Sequence, residues 1–233
     1  MLCVGVCRLF MSVQKEMAKP AENRPRLLDG KRFVTFNGCS GLPFRYMSTI
    51  VHGPVTLDPT AVSVLKQVNP LIAEHSFPSV AHAWTALKAT NQETLQLFAS
   101  DGSLAKLTPE AFWPFSKHPD RTHEYWSAMD GVGVLAELAG KPKHAKALGI
   151  IDGMDYGREL LEPELERAVW LQLLRLKYEQ NPRHLRVLRA THSALLVAHD
   201  PYARHWGGRV EQGQLVGDNA IGRYTEQVRA QLG

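Results

Sequence analysis

Cysteine is scarce in this sequence, and its scarcity excludes a disulfide-framed secreted domain. Cys3, Cys7 and Cys39 are the three cysteines among 233 residues. They are too few, and odd in number, for such a framework. They also form no metal-ligand pattern with the histidines. We therefore predict free thiols in a reducing, cytoplasmic compartment, with no bound metal and no other cofactor.

Long apolar runs and a strong charge imbalance are also missing. No stretch approaches the roughly 18 apolar residues that a transmembrane helix needs, so we expect no membrane-spanning segment. The formal net charge is only +4. That balance favours an anionic small molecule of nucleotide type as the partner. Nucleic acid stays an alternative partner, but a net charge this small does not indicate it.

The composition is that of an ordinary folded protein, with 44% hydrophobic and 21% charged residues. We predict a flexible leader over residues 1–29, because residues 12–32 are polar and contain two prolines. The apolar opening with Arg8 leaves organelle targeting as an alternative for the leader. Residues 30–233 are then expected to form a single domain with an enlarged middle segment at about 95–155.

Local patterns predict a compact, mainly α (α+β) fold with a short strand region near the N-terminus. The stretch KRFVTF alternates as a strand does. Asp58 followed by Pro59 predicts a helix start, and a further helix is expected over Ser79–Thr90. Glycines interrupt the helix predicted over Glu124–Gly140.

The C-terminal third carries the clearest helical signals. An apolar stripe runs through Pro163–Gln180, with Glu166 and three other charged residues off the stripe. The stretch RHLRVLRATHSALLVAH predicts a second helix that continues to about His199. A glycine-rich loop then leads to a last helix over Asn219–Leu232.

Two patterns in this chain resemble the NADAR (YbiA-like) family of N-glycosidases. The stronger one joins a Lys-aromatic-x-Gln-Asn helix, a Leu-x-x-Thr helix end, a Trp-Gly turn and an Asn-x-x-Gly helix start. Its residues here are Lys177, Tyr178, Gln180, Asn181, Leu188, Thr191, Trp206, Gly207, Asn219, Gly222 and Arg229. The weaker one is the helix of Pro78, His82, Ala86 and Lys88. The resemblance implies a compact helical fold and metal-independent cleavage of a base–ribose N-glycosidic bond in phosphorylated nucleosides or ADP-ribosyl compounds.

The chain departs from this family at the positions that carry charge. The family has a glutamate before the histidine of its first helix and an aspartate before the Trp-Gly turn, where this sequence has Ala81 and Ala203. The chain also lacks a tryptophan that the family has upstream of the long helix, where the aligned position here is near Glu162. A carboxylate beside C1′ stabilises the oxocarbenium-like transition state or activates water, and alanine does neither.

Other residues could supply what these positions lack. We predict Asp200 and, after it, Asp218 as relocated catalytic acids. The predicted ligand-binding residues are His82, Lys88, Trp206, Asn219 and Arg223. Four of these residues have an alternative role that needs no ligand. These roles are a hydrogen-bonded structural histidine at His82, a surface lysine at Lys88, a packed ring at Trp206 and a helix cap at Asn219.

Two hypotheses about function follow. The first, slightly preferred, is an N-glycosidase acting through relocated carboxylates. The alternative is a catalytically silent ADP-ribose or nucleotide-binding module on the same scaffold, or an enzyme of altered chemistry in the same pocket. The orientation of Asp200 and Asp218 relative to Ala81 distinguishes them, because a glycosidase needs an acid at the pocket.

Overall fold

The computed structural model describes residues 27–28, 30–37, 44–106, 133–159, 161–199 and 205–233. The α-helices among them are α1 (Pro59–Leu65), α2 (Val80–Ala86), α3 (Gln92–Phe98), α4 (Gly133–Ala139), α5 (Pro142–Ala147), α6 (Pro163–Gln180), α7 (Pro182–Ala190) and α8 (Ala220–Leu232). The strands are β1 (Leu27–Leu28), β2 (Lys31–Phe36), β3 (Val55–Thr56), β4 (Ser76–Phe77), β5 (Leu195–Ala198), β6 (Arg209–Glu211) and β7 (Gln214–Val216). The predicted mainly α (α+β) fold is confirmed.

Capping residues start the helices where the sequence predicts. The Asp58 carboxylate accepts a hydrogen bond from the Ala61 amide at 2.8 Å, with Pro59 at the first helical position of α1. Ser79 caps α2, which ends at Ala86, earlier than the predicted Thr90. Helix α6 has the predicted bounds, because Pro163 opens it and Asn181 followed by Pro182 ends it.

The helix predicted to continue to about His199 is wrong in its second half. Helix α7 ends at Ala190, and His192 adopts the left-handed conformation with φ 46°. Leu195–Ala198 then form β5, which pairs in parallel with β2 in the register Val34 with Leu196. A short apolar run does not distinguish a buried strand from a helix, and here the pairing with β2 decides.

Helix α8 is held against β5 by its first turn. The Asn219 side chain accepts a hydrogen bond from the Ala198 amide at 2.9 Å and donates one to the Leu196 carbonyl at 2.8 Å. A Cβ at Gly222 would lie 2.1 Å from that same Leu196 oxygen. The Asn-x-x-Gly motif therefore lets the backbone of a helix approach a strand that a side chain would hold away.

One hydrophobic core joins most of the elements. Leu65 of α1, Phe77 of β4, Leu135 of α4, Leu173 of α6 and Val228 of α8 are all fully buried members of it. The predicted leader falls outside the described residues except for Leu27 and Leu28, which pair with β2. Residues 107–132 of the predicted middle segment, including part of the helix predicted from Glu124, also lie outside them.

No helix in the described ranges combines the length and apolar character that crossing a lipid bilayer requires. This agrees with the prediction from the missing apolar runs.

Candidate active site around Glu166

A buried carboxylate near the start of α6 is the centre of the candidate site. Only 11% of the Glu166 side chain is exposed. Its Oε1 lies 3.0 Å from Nε2 of His205 and accepts a hydrogen bond from the Tyr224 hydroxyl at 3.0 Å. Its Oε2 has one longer contact, 3.2 Å, to the same His205 nitrogen. A buried carboxylate needs such partners, because its desolvation is costly.

A second carboxylate completes the network on the other side of His205. Nδ1 of His205 lies 3.3 Å from Oδ2 of Asp218. The hydrogen bond to Glu166 is the main cause that raises the pKa of His205 above its ordinary 6.5, and the contact with Asp218 adds to it. With acceptors at both ring nitrogens, the charged imidazolium with two N–H donors is the favoured form.

Tyr224 is a permanent donor to Glu166. Desolvation, and after it the hydrogen bond to Glu166, raises the pKa of Tyr224 to about 12. The phenol therefore keeps its proton throughout the neutral range and stays a hydrogen-bond donor to the Glu166 carboxylate.

Three tryptophans lie beside this carboxylate. The rings of Trp84 and Trp170 stack with centroids 4.6 Å apart, and Trp206 meets them at 5.4 Å and 5.2 Å. The His205 ring contacts Trp206 edge-on at 4.7 Å. We call Trp84, Trp170 and Trp206 the tryptophan cluster. Trp84 and Trp206 are half-buried, so the cluster presents aromatic surface next to the Glu166 network.

The sequence brings these groups together through α6, α8 and the turn at His205 and Trp206. Glu166 and Trp170 are one helical turn apart on α6, so their side chains lie on the same face. Tyr224 is in the first turns of α8. The Ala220 and Ile221 amides at the start of α8 donate hydrogen bonds to the carbonyls of His205 and Trp206, at 3.0 and 3.1 Å.

These backbone hydrogen bonds occupy the first amides of α8. The first amides of a helix lack partners within the helix and often bind anions. In α8 the Ala220 and Ile221 amides are already taken by the chain itself. These two amides are therefore not available to bind an anion, and they instead fix the position of His205 and Trp206.

Asn219 occupies the predicted cap position but does not cap with its side chain. Its backbone is left-handed at φ 52°, and its amide group bonds to β5 as described above. Only 3% of the residue is exposed. Its predicted contact with a ligand has no support in this geometry, because both polar atoms of its amide are used by the fold.

His82 has a structural environment. The residue is fully buried, with Nδ1 2.9 Å from the Ser79 hydroxyl and Nε2 3.3 Å from the Leu104 carbonyl. Burial lowers the pKa of His82 to about 4, so the imidazole is neutral at physiological pH. Its two occupied nitrogens support the hydrogen-bonded structural role over ligand binding.

Lys88 is buried and not a surface lysine. Its ammonium donates to the Gly140 carbonyl at 2.8 Å, just beyond the end of α4, and lies 5.7 Å from the centre of the Tyr156 ring. Only 4% of the residue is exposed, and burial, followed by repulsion from Lys141, lowers its pKa to about 8. Its predicted contact with phosphate stays a prediction.

The remaining predicted residues divide by exposure. Ala81 is buried on α2, one turn before Trp84, and supplies no charge. Asp218 is 62% exposed and reaches the site only through His205. Arg223 is exposed on α8 beside Tyr224, whose pKa its charge lowers against the larger opposite effects. Asp200 and Ala203 lie outside the described residues.

Sequence reasoning missed the centre of the site. Glu166 lies off the apolar stripe of α6, a position usually solvated, but α8 packs against α6 and buries it. A signal was present in the spacing of Glu166 and Trp170 and in the histidine next to Trp206. No group of three or more metal-ligating side chains in the described ranges is arranged to hold a metal ion.

Comparison of the chain with family models, with curated proteins and with solved structures gives no match.

Proposed function

We propose that this protein hydrolyses the N-glycosidic bond of a phosphorylated nucleoside or ADP-ribosyl compound, with Glu166 as the carboxylate beside C1′. The observation that carries the proposal is the buried Glu166 next to the tryptophan cluster. A buried carboxylate adjoining aromatic surface combines the two things that such a reaction needs: negative charge for the sugar and a flat contact for the base.

Glu166 has the form that this chemistry needs. As the bond between C1′ and the base nitrogen lengthens, positive charge develops on the sugar, which a fixed carboxylate stabilises. His205 and Tyr224 both contact Oε1, while Oε2 has among the described residues only its longer contact with His205. The two partners thus orient the carboxylate and leave one oxygen for the substrate.

The bond from C1′ to nitrogen breaks and its electron pair leaves with the base, which takes a proton from solvent. Water adds to C1′ through its oxygen, and Glu166 accepts the proton that this water loses. Because the His205 side chain is 49% exposed and bonded to Glu166, it gives that proton a route back to solvent.

Arg223 is our choice for the phosphate of the substrate. It lies beside Tyr224 on the exposed side of α8, and it was already a predicted ligand residue. Arg167, the other arginine near Tyr224, is held by the Gln227 side chain at 2.9 Å. A planar guanidinium suits bidentate contact with phosphate.

The alternative is a binding module without catalysis. One observation favours it: both partners of Glu166 meet at Oε1, which is also how a purely structural tie between α6, α8 and the turn at His205 would look. Ala81, in the place of a family carboxylate, is consistent with this alternative.

The test uses the purified full chain with ADP-ribose, NAD and an ADP-ribosylated guanine nucleotide, following free base by chromatography and binding by calorimetry. We expect Glu166→Gln to lower base release by about 100-fold or more. Glu164→Gln is the matched control, because Glu164 is in the same turn of α6 but 89% exposed, and we expect its rate to stay within about twofold of wild type.

The outcomes separate the hypotheses. Release that Glu166→Gln leaves intact would contradict the role of Glu166; the predicted acids Asp218 and Asp200 would then be tested as Asp218→Asn and Asp200→Asn. Binding without release in the wild-type protein would establish the binding module instead.

A further inference from the structure

The indole N–H of Trp170 is a buried donor without an acceptor in the part of the chain that the structure describes. Trp170 is 5% exposed, and its Nε1 atom is buried without a hydrogen-bond partner among the described residues. Buried polar groups are nearly always paired, so an unpaired one marks a place where a partner from outside the chain is expected. Tryptophan nitrogens in particular usually find an acceptor when buried.

The position of Trp170 connects this donor with the candidate site. Trp170 follows Glu166 by one turn on the same face of α6, which places their Cβ atoms roughly 5–6 Å apart. Its ring contacts those of Trp84 and Trp206, which also contact each other. The donor thus lies inside the tryptophan cluster, behind the half-buried rings of Trp84 and Trp206.

We infer that the Trp170 N–H donates a hydrogen bond to a ring nitrogen of the ligand, and so selects a heteroaromatic base with an acceptor nitrogen on the edge that faces α6. The inference deepens the proposed function and rests on the same site, but it concerns recognition and does not require hydrolysis. It makes Trp170 a specificity-determining residue.

The spacing of the two groups suits opposite ends of a glycosidic bond. Glu166 would face the sugar, where positive charge develops, and Trp170 the base, where the departing electron pair accumulates. The hydrogen bond from a donor fixed in a buried site becomes stronger as its acceptor gains negative charge. The same N–H therefore contributes to selecting the base and, when the bond breaks, to stabilising it as it leaves.

The test compares ligands that differ by one acceptor. Guanosine 5′-monophosphate and its 7-deaza and 3-deaza analogues are titrated by calorimetry into Glu166→Gln protein, which prevents turnover. We expect one deaza analogue to bind about 10-fold or more weakly than the parent, because one acceptor is lost. In the double variant with Trp170→Phe, the parent and that analogue should bind equally.

Trp84→Phe is the matched control. It removes an indole from the same cluster, but Trp84 is half-buried and its nitrogen is not among the buried unpaired atoms. We expect it to weaken all three ligands by a similar factor and to keep the difference between parent and analogue. If Trp170→Phe also weakens all three equally, the tryptophan only packs and the inference is overturned.

An NMR measurement keeps the inference testable should Trp170→Phe fail to fold. In ¹⁵N-labelled protein, the Trp170 indole proton should move downfield when the parent ligand is added, and less with the analogue that lacks the acceptor. An unchanged resonance at saturation, as expected if only a buried water satisfies the N–H, would contradict the inference. So would the absence of binding by all three ligands.

Failure of the two proposals can be told apart. Ligand discrimination through Trp170 without base release by the wild-type protein would leave the recognition inference standing and remove the hydrolase. Base release that Trp170→Phe leaves unchanged for every substrate would support the hydrolase and overturn the recognition inference.

Discussion

The imidazole of His205 bridges two carboxylates, Glu166 at 3.0 Å through Nε2 and Asp218 at 3.3 Å through Nδ1. The two acids differ in exposure, since 11% of the Glu166 side chain is accessible against 62% of Asp218. A buried acid is less screened by water than an exposed one, so Glu166 holds the proton of His205 more firmly.

This asymmetry gives an ordered prediction for the pKa of His205. The wild-type pKa should be highest, Asp218→Asn should lower it somewhat, and Glu166→Gln should lower it most, because the Glu166 hydrogen bond is the largest cause of the shift. The measurement is an NMR titration of the His205 ring protons. A larger effect from Asp218→Asn would show that the exposed acid dominates.

The same shift predicts how stability depends on pH. A pKa raised in the folded state means that the native protein binds the proton more tightly than the unfolded chain does. The contribution of His205 is then complete below about pH 6.5 and disappears as the pH rises through the folded-state value. The difference in urea-unfolding free energy between wild-type protein and His205→Gln should shrink across that range, and taking this difference removes the opposite contribution of Lys177, whose pKa is lowered to about 7. A difference that does not change with pH would contradict the prediction.

The tryptophan cluster predicts an optical signal for ligand binding. Trp84, Trp170 and Trp206 are three of the five tryptophans of the chain. A base stacked on this surface should quench a large part of the fluorescence. Trp206→Ala should weaken binding of ADP-ribose by about 1–3 kcal/mol, the scale of a stacking contact, whereas Trp206→Phe should retain most of it. Unchanged affinity in Trp206→Ala would place the ligand elsewhere.

Gly222 should be intolerant of even a methyl group. Its added Cβ would meet the Leu196 carbonyl at 2.1 Å, a backbone atom that cannot rotate away. We expect Gly222→Ala to lower the free energy of unfolding by about 1–3 kcal/mol or more. The control is Gly157→Ala, whose Cβ meets only the Asp155 side chain at 3.2 Å, and it should change stability by less than about 0.5 kcal/mol. Equal effects would mean that α8 can move away from β5.

Lys177 predicts a second dependence of stability on pH, in the alkaline range. Its fully buried ammonium donates to the Ser48 carbonyl, and burial lowers its pKa to about 7 from 10.5. The unfolded chain binds this proton more tightly between those values, so stability should rise with pH there, by at most about 1.4 kcal/mol per pH unit. Lys177→Met should lower that slope and leave the part that Lys88, with its pKa of about 8, contributes above that pH; a slope unchanged in Lys177→Met would contradict the prediction.

The parts of the fold that the sequence predicts well are those set by local chemistry. Pro163, Asn181 and Pro182 fix the bounds of α6 whatever surrounds it, and Asp58 and Ser79 cap their helices through neighbouring amides. Strand β5 was missed because its four apolar residues fit a helix equally well until β2 pairs with them.

The candidate site shows the same division. Trp206 and Asn219 were found from their motif, but the use of the Asn219 amide by β5 depends on a contact between distant segments. Glu166 was missed because periodicity describes one helix at a time, and only the packing of α8 on α6 converts its polar face into an interior.

Two backbone hydrogen bonds run from the start of α8 to the carbonyls of His205 and Trp206. Because of these bonds, the site stays assembled only while α8 stays in place. If α8 detaches, His205, Trp206 and Tyr224 are displaced together, so we expect the site to assemble and come apart as a unit. Hydrogen exchange at the Ala220 and Ile221 amides would therefore report, residue by residue and without any ligand, what fraction of molecules carries an assembled site at a given moment.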